Sequence, residues 1–224
     1  MSDLVNGKGG TSLDEFAFLL GMCGVGSDEF DSMKRFFLES REKGWLQIFD
    51  SVLPAHVRTL VQHERIAKEI VHWSSLYIPG LLQTELYARA VAEDSPFIEP
   101  EEVPEWVAAR MERRGIVAGH KKFVFYLYEP VLRSPVGGAD VLAEQLHELV
   151  RMSVRPYIGM RILPAGRALT GDFSLLKFEK FEPLVYRANL NSALFLEDKV
   201  SIGIYQEALK MMDRIALSRE ESRE

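Results

Sequence analysis

Cysteine is nearly absent: Cys23 is the only one in 224 residues. A single thiol excludes an internal disulfide framework and a cysteine-based metal site within one chain. Long apolar runs are missing too. None approaches the roughly 18 residues that a membrane-spanning helix needs. Met1-Ser2-Asp3-Leu4 opens with neither a basic nor an apolar stretch of the kind that directs secretion, so a reducing, cytoplasmic setting is expected. Positive charge is also in deficit, with 27 Lys and Arg against 33 Asp and Glu and a formal charge of -6. Nucleic-acid affinity rests on clustered cations that release counterions, and this balance has the wrong sign for it. The densest basic group, Arg110, Arg113, Arg114, Lys121 and Lys122, is read as a solvated face rather than a phosphate track.

Catalytic signatures are scarce as well. The five histidines, His56, His63, His72, His120 and His147, form no pair at ligand spacing within one helical turn. There is no nucleophile elbow and no dinucleotide fingerprint. Gly7-Lys8-Gly9-Gly10 lacks the preceding strand a phosphate loop requires. No metal or cofactor is expected. His72, beside Trp73 on an apolar segment, reads as a satisfied core histidine.

What is present is ordinary globular composition, 47% hydrophobic and 27% charged, in a recognisable order of elements. Ser12 and Glu15 have the spacing of a capping box and open a short helix that Gly21 and Gly24 stop. Ser27 opens a second helix, closing at Lys43-Gly44, and a connector over 45–53 leads to Pro54 at the start of a third. Residues 70–78 read as a strand or extended segment, Thr84 as a helix cap, and 101–114 as a charged amphipathic helix. Residues 122–128 alternate apolar side chains on both faces, the pattern of a strand covered on both sides. A helix over 140–154, strands over 157–163, 172–178, 184–190 and 193–196, and a helix over 199–217 follow. Ser218 and Glu221 have capping-box spacing again. The class is α+β: a small N-terminal helical part, then about five mostly antiparallel strands with packed helices.

Several segments carry a resemblance. They are the stretch from Ile78-Pro79-Gly80-Leu81-Leu82-Gln83-Thr84 through Val91, and the stretch from Glu129 through Leu132-Arg133-Ser134-Pro135-Val136-Gly137-Gly138. With them go Glu144-Gln145-Leu146, Arg161-Ile162-Leu163-Pro164, Gly171-Asp172-Phe173 and Ala216-Leu217-Ser218-Arg219-Glu220-Glu221-Ser222. Together they resemble the C-terminal domain of antitoxin-like transcriptional regulators with a helix-turn-helix of the xenobiotic-response-element type. The resemblance spans 45–224 and implies a ligand- or partner-binding domain there. Residues 1–44 then resemble only the last helices of the DNA-reading module, so direct DNA binding by this chain is not expected. The resemblance implies that a carboxylate usually comes soon after the tyrosine of the Val185-Tyr186 strand; here Arg187-Ala188-Asn189 follows.

The candidate binding residues are aromatic and charged: Trp73, Tyr77, Tyr126, Tyr128 and Tyr186, with Glu129 and Arg133 at one strand's end. Aromatic walls with a few convergent polar groups suit a small-molecule pocket, and they suit a plain core equally well. Two functions stay open. One is a regulatory domain that binds a small effector or small protein partner, with a homodimer among its assemblies. The other is a regulator-derived enzyme that cyclises or rearranges a natural-product intermediate, with Glu129 or Asp172 as its acid.

Overall fold

The computed structural model describes residues 12–39, 45–48, 55–167, 171–189 and 192–223. The Gly7–Gly10 run, Lys43-Gly44 and Pro54 lie outside them. The chain divides into two compact units, Met1–Trp45 and Leu46–Glu224. In the first, α1 (Leu13–Met22) is opened by the expected capping box: Glu15 N–H donates to Ser12 Oγ at 3.2 Å and Ser12 N–H to Glu15 Oε2 at 2.9 Å. Gly24, at φ +71°, turns the chain toward α2 (Ser27–Glu39), and Phe16 stacks on Phe37 at 4.3 Å.

The second unit holds one sheet and the helices on it. Its elements are β1 (Trp45–Ile48), α3 (Ala55–Ile66), β2 (Glu69–Ser74), α4 (Glu85–Glu93), α5 (Val103–Arg114) and β3 (Lys122–Tyr128). They continue with α6 (Ala139–Ser153), β4 (Ile158–Leu163), β5 (Phe173–Lys177), β6 (Leu184–Ala188), β7 (Ser192–Leu196) and α7 (Lys199–Ile215). The spatial order is β1-β7-β6-β5-β2-β3-β4. The α+β class holds, and the sheet is mixed. β2–β5, β5–β6 and β6–β7 are antiparallel; β2–β3 and β3–β4 are parallel. The parallel pairs follow from connectivity, because α4 with α5, and then α6, are the crossovers that parallel neighbours need. Two details differ from the sequence reading. Part of the expected connector, Trp45–Ile48, is an edge strand. The strand beginning near Ile70 ends at Ser74, whose hydroxyl donates to Tyr77 O at 2.6 Å and turns the chain.

Strand register sorts the core into two faces. Val71, Trp73, Tyr126, Leu163, Phe173, Leu175 and Val185 pack against Ile202, Leu209 and Met212 of α7. On the opposite face His72 lies level with Phe125 and Ser174, and Ser174 with Tyr186. α3 covers part of that face, with His63 set against Phe195 at 5.9 Å. Among the described residues no helix is long and apolar enough to cross a membrane.

The segments that carry the resemblance are largely structural locks. In the first, Gln83 Nε2 donates to Ile78 O and Ile78 N–H to Tyr87 Oη, closing the loop after β2 on itself. Thr84 caps α4, and its own N–H donates to Gln145 Oε1 while Gln145 Nε2 donates to Leu82 O. Gly137 and Gly138 both have positive φ, and a methyl at Gly137 would meet Ala90 Cβ at 2.6 Å, so α4 and α6 touch there only through glycine. Arg161 clasps the C-terminal segment through the carbonyls of Asp213, Ala216 and Leu217, and Ser218 and Glu221 form the second expected capping box.

Candidate ligand-binding recess

The predicted residues divide into separate places. Trp73, Tyr126 and Tyr128 share the α7 face, with Trp73 edge-on to Tyr128 at 6.3 Å. Trp73 is fully buried, and its Nε1 has no partner among the described residues. Tyr126 Oη donates to Asp213 Oδ1 at 2.5 Å, joining Arg161 on the same carboxylate beside an open cleft of about 520 Å³. Tyr128 and Glu129 hold one loop: Gly166 N–H donates to Tyr128 Oη, and Ala165 N–H and Arg133 donate to the Glu129 carboxylate. Arg133 is otherwise in solvent, its side chain 77% exposed. Tyr77 is exposed beyond the end of β2. Asp172 Oδ1 accepts from Ser75 N–H and Ser75 Oγ, and its Oδ2 lies 3.0 Å from Ser74 Oγ, which fastens the start of β5 to the end of β2. Tyr186 alone of the predicted set lies on the other face.

That other face gathers polar groups which the sequence reading placed elsewhere. Along α5, Val103, Trp106, Val107, Arg110 and Arg113 recur at helical spacing, so the inward stripe begins apolar and ends in arginine. The expected solvated basic face is therefore corrected. Arg113 reaches inward and meets Glu64 of α3 in a two-point pair, Nε to Oε2 and Nη2 to Oε1 both at 2.8 Å, with Glu64 1% exposed. Arg114 pairs with buried Glu148, and buried Lys121 donates to the carbonyls of Arg65 and Ala67. Lys122 alone of the five stays well exposed, near Glu69.

Arg110 is different. Its guanidinium lies over the Trp106 ring at 4.3 Å and against the Gly80 backbone, where a methyl would come within 1.9 Å of Nη1. Among the described residues it donates no hydrogen bond and forms no ion pair. Burial first, and then the charge of Arg113, hold its pKa below the usual arginine value, while Tyr186 and Glu64 act the other way. It remains a cation at neutral pH. Burial lifts the Tyr186 phenol, so its hydroxyl stays protonated, and it donates to no described residue. His72 Nδ1 lies 2.6 Å from Ser174 Oγ. Arg110 and His72 sit deep enough to be strongly desolvated, yet both are only half-buried. Both side chains thus keep some contact with solvent on the α3–α5 side of the sheet.

His72 gives a pH test. Burial, then the charges of Arg113 and Arg110, push its pKa from 6.5 to about 4, against the pull of Asp172. The unfolded chain binds the proton first, so between these pH values stability falls as pH falls. The loss is up to about 3 kcal/mol near pH 4. Urea midpoints at pH 7 and near the lower limit measure it. His72→Gln is expected to flatten that slope, and an unchanged slope would assign the acid lability to other groups.

Among the described residues no cluster of three or more His, Cys, Asp or Glu is placed to hold a metal. Arg187 lies on the α7 face. Its Nε is buried without a partner among the described residues, and its Nη2 would meet a methyl at Gly171.

Comparison with known proteins gives a family and a faint likeness to a solved structure. The family model of a domain of unknown function, DUF5753, matches residues 57–224. No curated protein matches the chain. Among solved structures, that of TrmBL2, an archaeal chromatin protein with a novel mode of DNA binding, aligns at 11% identity and a TM-score of 0.38. The alignment covers 92% of this chain and 66% of that one, so the chain spans just under two thirds of its length. That likeness is too slight to bear on function.

Proposed function

The chain belongs to the family of a domain of unknown function, DUF5753, and from that premise we propose that it is a regulatory domain that binds a small molecule in the recess on the α3–α5 side of its sheet. One observation carries the reading. Arg110 lies over the Trp106 ring and against the Gly80 backbone, close enough to act on both Tyr186 and His72, and neither Arg110 nor Tyr186 donates a hydrogen bond to the described protein. Perturbed groups with spare hydrogen-bonding capacity cluster where ligands bind. The resemblance of the Ile78–Val91 and Glu129–Gly138 segments to domains of helix-turn-helix regulators supports a regulatory use. A cytoplasmic location, and a small protein partner or a second copy of the chain to receive the signal, belong to the same proposal.

The enzyme reading has less to draw on. Glu129 is held ionised by the Ala165 N–H first and Arg133 second, which suits an anchor better than a proton donor. Asp172 Oδ1 already accepts from Ser75 N–H and Ser75 Oγ, and its Oδ2 lies against Ser74 Oγ.

A thermal-shift screen of small metabolites tests the proposal. A ligand at 100 times its Kd is expected to add about 2.7 kcal/mol to unfolding, and Tyr186→Phe to weaken it about tenfold through one lost hydrogen bond. A screen without stabilising compounds, or hits indifferent to Tyr186→Phe, would count against the recess.

A further inference from the structure

Two arginines one helical turn apart on α5 meet opposite fates. Arg113 is matched in full by Glu64. Arg110 faces the same interior with no carboxylate of its own among the described residues. The charged groups that act on it are Arg113 and Glu64, with the Tyr186 phenol beside them. Arg113 and Glu64 cancel, Tyr186 is neutral, and the balance around Arg110 is one positive charge. A partly desolvated charge without a counter-ion carries a cost that a bound anion would offset.

The local construction fits a ligand better than an accident of packing. Trp106 supports the guanidinium from one side through its ring face. Gly80 lets the backbone come close enough to touch it, and Gly80 is fixed by the Gln83–Ile78 and Tyr87–Ile78 bonds described above. The guanidinium is thus packed against the Trp106 ring and the Gly80 backbone, with its donors unused by the described protein. A guanidinium fork matches a carboxylate in shape and, through paired hydrogen bonds, in strength. One uncancelled charge calls for a monoanion; a phosphate dianion would leave an excess negative charge in the same desolvated place.

We propose that this site receives the carboxylate of a small organic acid, Arg110 taking the carboxylate through its free donors and Tyr186 Oη donating to it from the sheet. The proposal rests on the recess being the ligand site. Arg110 is then a binding residue kept at a cost to stability.

Titration calorimetry on the full chain tests it, with benzoate and indole-3-acetate as probes, benzamide and indole-3-acetamide as neutral isosteres, and inorganic phosphate as the competing anion. The acids are expected to bind at least about tenfold more tightly than their amides, and Arg110→Gln to weaken the acids about 10- to 100-fold while leaving the amides nearly unchanged. Gly80→Ala, which displaces only the far end of the Arg110 side chain, is expected to weaken the acids in the same sense with the fold intact. Without ligand, Arg110→Met is expected to raise the unfolding temperature, a direction that a merely structural arginine would not give. Equal binding of acids and amides, both weakened by Tyr186→Phe, would overturn the carboxylate and leave the recess standing. Phosphate binding in place of the acids would also overturn the carboxylate. Failure of all probes at about 10 mM, with a fall in unfolding temperature for Arg110→Met, would overturn the proposal; a metabolite hit in the thermal screen under those conditions would keep the recess and discard its anion.

Discussion

Glu64→Gln is expected to lower the free energy of unfolding by about 3–5 kcal/mol, a large part of the stability of a domain this size. Glu64 is 1% exposed and gives both oxygens to Arg113. Burial alone would pull the Arg113 pKa down, but the Glu64 carboxylate more than offsets it and holds the guanidinium above its ordinary value. The amide keeps the shape and loses the charge, so Arg113 is left as a second uncancelled cation beside Arg110. The pair itself is a different matter. Replacing both members at once, Glu64→Leu with Arg113→Met, is expected to recover most of the loss, because desolvating two charges offsets much of their attraction. Chemical denaturation of the two single variants and the double variant measures the cycle. A Glu64→Gln loss below about 1 kcal/mol would mean that water reaches the pair and screens it.

The second large effect is expected at Gln145, which is fully buried yet polar. Its amide is a two-ended connector from α6 to the start of α4, accepting from Thr84 N–H at 2.7 Å and donating to Leu82 O at 2.9 Å. Gln145→Leu keeps the volume and strands both backbone groups in the interior. Each unsatisfied group costs about 1–3 kcal/mol, so a total of about 2–5 kcal/mol is expected. Gln145→Glu restores the acceptor for Thr84 but opposes Leu82 O with an oxygen and buries a carboxyl. It is expected to be no better than leucine at neutral pH and to improve on acidification, when a protonated carboxyl can again donate. Melting curves of both variants across that pH range decide it; parallel curves would show that the amide does not bridge these two groups.

The sequence was informative wherever the cause of structure is local. Ser12 with Glu15, Ser218 with Glu221, and Thr84 ahead of α4 each announced a helix start within four residues, and each cap is present. Lys122–Tyr128 was legible as a strand covered on both faces because its alternation is apolar throughout. What escaped depends on partners far along the chain. Arg113 looks like a surface charge until Glu64, 49 residues earlier, is brought to it. β1 escaped because an edge strand of four residues has too short a period to read. The aromatic candidates were misleading in a specific way. Trp73, Tyr126 and Tyr186 are neighbours in composition, but strand parity sends Tyr186 to the face opposite the other two. One signal for the recess was available in the sequence: the Val103–Trp106–Val107 stripe continues at helical spacing into Arg110 and Arg113. Helical spacing sets the face that a charge occupies, and a charge on the apolar face needs either a partner or a ligand.

The most direct measurement is the position of a bound acid. Crystals grown with 4-bromobenzoate would report the bromine by anomalous scattering and the carboxylate by density. The account predicts one site on the α3–α5 side of the sheet, with the carboxylate against the Arg110 guanidinium and within hydrogen-bonding distance of Tyr186 Oη. Bromine only in the cleft beside Tyr126 and Asp213, or Arg110 closed onto a protein carboxylate with no acid in reach, would contradict it.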